Sequence, residues 1–242
     1  NSGTDCCRDG SGSIIRDSRR KVPHMKAKTL TMLAGVGLLA GTASADFVGL
    51  DWAVVDNGGW ADATYDVYAM FTSGDDFLSA VAGTPIPGEE LNYQVTGGTF
   101  YQNAFGSTFT APNGALFGTF PSLEFDTFVS IGAWQLPDVT QTVGDLAWSA
   151  DGTQLTAVNG SYFITPDDAQ GTPFEYAPGD YRVLIARLSV MDADVAEIAG
   201  TARFDYFEGG VAGNSVATFF IPAPGVLALL GLAGLAGTRR RR

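Results

Sequence analysis

The residues able to do chemistry in this chain are nearly all carboxylates. Between Asp46 and Ile221 stand 23 Asp and Glu residues against three bases, Arg182, Arg187 and Arg203, with no Lys, His or Cys. That inventory removes Ser-His-Asp and Cys-His nucleophilic catalysis, zinc sites of the usual kind and disulfides. It also removes Schiff-base lysines and the phosphate-binding loop that needs one. Two chemistries survive. A pair of acids can hydrolyse a glycosidic bond, and several acids can bind Ca²⁺ through hard oxygen ligands.

Glu124 and Asp126 lie two residues apart, a spacing that on a strand turns both carboxylates to one side. Their surroundings, Phe100-Tyr101-Gln102-Asn103 and Phe120 through Gly132, mix aromatics with amides and acids. Aromatic faces stack on sugar C–H faces while amides and carboxylates take the hydroxyls. Tyr101, Glu124 and Asp126 are therefore the candidate carbohydrate contacts. The competing reading, which so many large rings favour, is that these aromatics fill a β-rich core. Asp192 and Asp194 follow the strongest strand-like stretch and are the candidate Ca²⁺ ligands. Asp167-Asp168 is a further acidic pair. Neither group has the spacing and glycine of an EF-hand loop. No other cofactor is expected, and no catalytic residue is assigned.

Without its ends, this stretch carries a formal net charge of −20. A nucleic-acid surface needs the opposite sign, so no nucleic-acid partner is expected. Self-repulsion of that size calls for screening by salt or by divalent cations.

The elements that must position these acids read as strands. Sixteen Phe, eight Tyr and four Trp sit beside 31 Gly, and alternating stretches are separated by turn dipeptides. Asp46 to Val55 is the opening strand. Tyr65, Val67, Ala69 and Phe71 form one face of the next, with Asp66, Tyr68 and Met70 on the other. Tyr181 to Val190 alternates Leu184, Ala186, Leu188 and Val190 against Tyr181, Val183, Ile185 and Arg187, both largely apolar, which marks a central strand. Thr201 to Phe207 and Val216 to Ile221 close the domain. Asn57-Gly58, Asn113-Gly114, Asp151-Gly152 and Asn159-Gly160 are each expected to supply positive φ, the best hairpin joining Leu146–Ser149 to Gln154–Val158. A short helix is expected over Asp75 to Val81, capped by Ser73 with Asp76 three residues on. The fold expected over residues 46–221 is one all-β domain, a β-sandwich or jelly roll.

The ends carry addresses. Residues 1–24 read as a non-structural leader. Met25 opens a signal-peptide layout to residue 45: Lys26 and Lys28, an apolar run from Leu30 to Ala40, and a small-residue cleavage site at Ala43 and Ala45. Residues 222–242 run Pro222-Ala223-Pro224-Gly225, then twelve residues without a polar side chain, then Thr238 and Arg239, Arg240, Arg241 and Arg242. A twelve-residue helix rises about 18 Å against a hydrocarbon core of about 30 Å, short for a permanent anchor. The order Pro-x-Pro, apolar stretch, terminal arginines resembles the PEP-CTERM sorting signal, with Ala223 where the usual middle residue is Glu. The resemblance implies processing by signal peptidase and an exosortase-like enzyme, contact with the membrane through the C-terminal segment until then, and residence at the cell surface or in an extracellular matrix. The aromatic segment around residues 100–132 resembles exported planctomycete-type proteins of unassigned activity.

The reading is thus an exported, non-enzymatic β-sandwich flanked by a signal-peptide helix and a short C-terminal membrane helix, with weak polysaccharide or Ca²⁺ binding. Its alternative is a carboxylate-dependent glycoside hydrolase or lyase.

Overall fold

A computed structural model describes residues 47–166 and 168–223. The expected leader, the signal peptide with Ala43 and Ala45, Asp167, and the tail from Pro224 and Gly225 through Arg239–Arg242 lie outside the described residues. Pro222 and Ala223 follow directly from the last strand. Among the described residues no helix is long and apolar enough to cross a membrane.

The described residues are all-β, as their patterning implies, with strands paired antiparallel in two sheets. Strands are numbered in chain order. The first sheet runs β1 (Phe47–Val55), β2 (Ala63–Phe71), β12 (Asp180–Met191), β11 (Phe174–Ala177), with the short β5 (Thr99–Phe100) and β6 (Phe128–Val129) also on β12. The second runs β7 (Gln141–Gly144), β10 (Gly160–Phe163), β3 (Phe77–Gly83), β13 (Glu197–Glu208), β4 (Leu91–Thr96), β9 (Gln154–Ala157), β8 (Ala147–Trp148), with β14 (Val211–Ile221) on β13. Both sheets contribute to a single core: Tyr65, Val67, Val183 and Leu188 from the first, Leu78, Tyr93, Leu155 and Phe204 from the second. Fully burying one such side chain contributes about 1.5–3 kcal/mol.

Local chemistry explains the hairpins. β13 and β14 pair along their full length and turn on Gly209-Gly210, whose φ of 53° and 86° only glycine adopts freely. The hairpin around Asp151-Gly152 forms as expected, with Trp148 opposite Leu155. Of the four dipeptides expected to supply positive φ, Asn57-Gly58 and Asp151-Gly152 do so. Asn113-Gly114 instead opens a 3₁₀ turn and Asn159-Gly160 enters β10.

The helix expected over Asp75–Val81 is a strand, β3, from Phe77 onward. The capping pair forms: Ser73 N–H donates to Asp76 Oδ2 at 3.2 Å and Asp75 N–H to Ser73 Oγ at 3.1 Å. They close a turn into a strand because β3 is hydrogen-bonded on both sides, by β10 and β13, and tertiary pairing outweighs a weak local preference.

The strict alternation read into Tyr181–Val190 also fails. The register of β12 on β2 passes from Leu184 opposite Tyr68 to Ala186 opposite Val67, so Ile185 is an extra, bulged residue. Val183, Ile185, Ala186, Leu188 and Val190 all belong to the core. Their neighbours Arg182, Leu184, Arg187 and Ser189 share the outer face. The carbonyl of Ile185 accepts from Ser130 N–H at 3.3 Å and from the buried Tyr162 hydroxyl at 3.1 Å, and that hydroxyl lies 2.9 Å from Tyr93 Oη. Burial pushes both tyrosines above the ordinary phenol range.

Candidate functional site

The bulge sets two arginines on one face where simple alternation would put them on opposite faces. On that outer face of the first sheet, Arg187 stands opposite Asp66, Leu184 opposite Tyr68 and Asp51 opposite Tyr68 on its other side, while Phe174 stands opposite Arg182. Residues 101–140 pair along one edge of β12 through β6 and place part of their length against this face. Ala111, Phe128 and Ala133 from that segment pack with Tyr68 and Leu184 in a second, smaller apolar cluster.

At the Arg187 end the ion pair is enclosed. Its Nε and Nη2 donate to the two carboxylate oxygens of Asp66 at 2.7 and 2.9 Å, and Nη1 donates to the Glu124 carbonyl at 2.8 Å. The two side chains are only 8% and 6% exposed. Thr127 and Ser189 clasp the covering segment to β12: Thr127 Oγ1 donates to the Ser189 carbonyl and accepts from its N–H, both at 3.0 Å.

At the Arg182 end the chemistry faces solvent. Nε and Nη2 donate to Asp180 at 2.8 and 2.7 Å, and the same Nη2 reaches Asp51 Oδ2 at 2.9 Å. The Asp180 bond is the main reason that the guanidinium holds its proton even more tightly than usual. The guanidinium carbon lies 4.1 Å from the Tyr176 ring centre and 5.6 Å from that of Tyr68, within cation–π range. Phe174 bridges the rings, edge-on to Trp134 at 5.2 Å and tilted to Tyr176 at 6.2 Å. Trp134 is 36% exposed and Tyr176 50%. The Tyr68 hydroxyl is held well above the usual phenol range by burial and by neighbouring Asp66.

The loop carrying Trp134 is fixed on both sides. Gly132 N–H donates to the Leu184 carbonyl at 2.8 Å, Leu136 N–H to the Pro112 carbonyl at 2.9 Å, and Ala111 N–H to Asp138 Oδ2 at 2.7 Å. Gln170 Nε2 donates to Asp138 Oδ1 at 2.9 Å from outside the segment. A pre-set pair of aromatic faces beside an immobilised guanidinium and two carboxylates can stack on a sugar ring and bond its hydroxyls.

The residues singled out from the sequence are dispersed. Glu124 and Asp126 do not share a strand face. Glu124 lies in a 3₁₀ turn, Pro121–Phe125, with its side chain in solvent, while Asp126 follows the turn and is wholly buried. The proline and the turn bonds break the period of two. Tyr101 is half-buried and its hydroxyl accepts from Asn103 Nδ2 at 3.2 Å. Asp192 adopts a left-handed φ of 65° and its N–H bonds the Asp62 carboxylate. Asp62, Asp192 and Asp194 line an open cavity of about 450 Å³. Among the described residues no group of three or more acids is placed to hold a metal ion. Asp168 caps a short 3₁₀ turn, accepting from Gln170 N–H at 2.9 Å. What sequence reasoning missed is the set that gathers: Trp134, Phe174, Tyr176, Arg182, Asp51 and Asp180. A signal was present in Asp180 and Arg182, a rare base beside an acid in a chain poor in bases.

No family model matches this chain, and neither does any curated protein or solved structure.

Proposed function

We propose that this is an exported, non-catalytic protein of the cell surface or extracellular matrix, a jelly-roll-like β-sandwich that binds neutral glycans weakly through the Trp134–Phe174–Tyr176 patch and Arg182. The observation that carries the binding reading is the pair of exposed rings, Trp134 and Tyr176, flanking Phe174 beside a guanidinium already fixed by Asp180 and Asp51. Two acids against one base make the patch net negative, which favours uncharged sugars over uronates. The export half rests on the signal-peptide layout of residues 25–45 and on the PEP-CTERM-like tail at 222–242, with signal peptidase and an exosortase-like enzyme as processing partners. No cofactor is part of this reading. A glycoside hydrolase or lyase is not favoured: Asp51 and Asp180 both converge on one Nη2 of Arg182, rather than facing each other across a gap for a scissile bond.

The test is a glycan array holding neutral and uronate oligosaccharides, with an assay for released reducing ends. Binding to neutral chains on the order of millimolar, about −4 kcal/mol, is expected without release of reducing sugar, and Trp134→Ala should weaken it at least tenfold. Unaltered binding in Trp134→Ala would move the site elsewhere, and reducing-end release that needs Asp51 or Asp180 would make the protein an enzyme.

A further inference from the structure

None of the acids singled out from the sequence belongs to the glycan patch, and among them Asp126 has an unusual setting. The residue has no exposed surface. Oδ1 accepts the Asn103 backbone N–H at 2.6 Å, while the buried Oδ2 has no hydrogen-bond partner. Gly106 lies directly against Oδ2, and a Cβ built there would collide with it. An ionised carboxylate oxygen enclosed without a partner is costly, and the chain at Gly106 is what closes directly over it.

The charged and titratable groups on the surrounding elements do not relieve it. Arg187 on β12 spends its donors on Asp66 of β2 and on the Glu124 carbonyl. The Glu124 side chain points to solvent, and the Tyr101 hydroxyl is engaged by Asn103 Nδ2. Desolvation therefore dominates: burial raises the Asp126 carboxyl from 3.8 to about 7, opposed first by the Asn103 N–H, the one backbone donor in hydrogen-bond geometry, and then by the nearby Thr127 N–H, itself bonded to the Tyr101 carbonyl, and Ser107 N–H.

We propose that Asp126 is a proton-operated latch on the Asn103–Ser107 loop: protonated, it lets the loop close over the carboxyl, and ionised, it draws water in and the loop lifts at Gly106. The latch is independent of the glycan patch. Its direction follows from linkage. The closed state keeps a proton that the open or unfolded chain releases near pH 4, so the closed state is favoured most in acid. That advantage is lost as pH climbs to about 7, and is level above it.

Amide hydrogen exchange of residues 103–107 in the full chain, corrected for intrinsic rates, reads the latch. Protection should fall about tenfold per pH unit between pH 5 and 7 and level off above, while β12 and β13 stay unchanged. In Asp126→Asn, which keeps the acceptor for Asn103, the profile should be flat. A flat wild-type profile, or the same slope in Asp126→Asn, overturns the proposal. A second reading needs no variant: the carboxyl carbon of Asp126 should titrate near 7 in the wild-type protein, and a midpoint near 4 would refute the latch.

Discussion

Arg187 and Arg182 lie five residues apart on one face of one strand, each paired with aspartate, yet they sit in opposite environments. Arg187 and Asp66 neutralise each other under the segment 101–140, with the remaining donor taken by a backbone carbonyl. Arg182 has its own side chain covered, 10% exposed, but its partner Asp51 is 44% exposed and its ring neighbour Tyr176 is open to solvent. The same ion-pair chemistry is structural where no water reaches it and available for recognition where water does. A buried pair is costly to break because the abandoned charge stays buried, whereas a half-exposed pair exchanges protein contacts for solvent at small cost.

The largest effect should come from breaking the sealed end. Arg187→Leu leaves Asp66 enclosed without its cation and the Glu124 carbonyl without a donor. The expected loss is about 3–5 kcal/mol, read from urea unfolding with an unchanged m-value. Replacing Asp66 by Leu as well should restore most of that loss, since an apolar pair of similar volume leaves no orphan charge. Next comes Arg182→Ala, expected to cost about 1 kcal/mol or less in stability while lowering glycan affinity about tenfold. If Arg182→Ala unfolds the protein as readily as Arg187→Leu, the contrast between the two ends is wrong.

Much of the architecture was legible because burial on β-strands writes period-two patterns. The opening strand, the β2 faces, the Asp151-Gly152 hairpin and the two closing strands all stand where alternation and turn residues put them. The functional face was not legible, for one specific reason. The bulge at Ile185 adds a residue that leaves no mark in composition, and beyond it every inward position becomes outward. Read without it, Arg182 and Arg187 fall on opposite faces and their shared surface cannot be assembled. The helix expected over Asp75–Val81 failed because both edges of β3 are claimed by strands distant in sequence. Glu124 and Asp126 separated because Pro121 starts a turn, which has no two-residue face. Trp134, Phe174 and Tyr176 come together only through the sheet register and the path of the covering segment.

The finest distinction at the open end concerns how Tyr176 acts. Its ring centre lies 4.1 Å from the Arg182 guanidinium carbon, so one face is committed to the cation, while half of the residue's surface stays open to solvent. If the ring face is what matters, Tyr176→Phe should keep both the cation–π contact and the stacking surface. Stability should then stay within about 0.5 kcal/mol, the ordinary range of a surface substitution, and glycan affinity within about threefold. Tyr176→Ala removes the ring, costs about 0.5–1 kcal/mol from the exposed cation–π contact, and should reduce affinity in the same proportion as Trp134→Ala. Calorimetric titration with a neutral oligosaccharide separates the two variants. Equal losses in Phe and Ala would mean that the phenol hydroxyl, bonding a sugar hydroxyl, is the working group, and that the open end recognises its ligand by hydrogen bonds rather than by stacking.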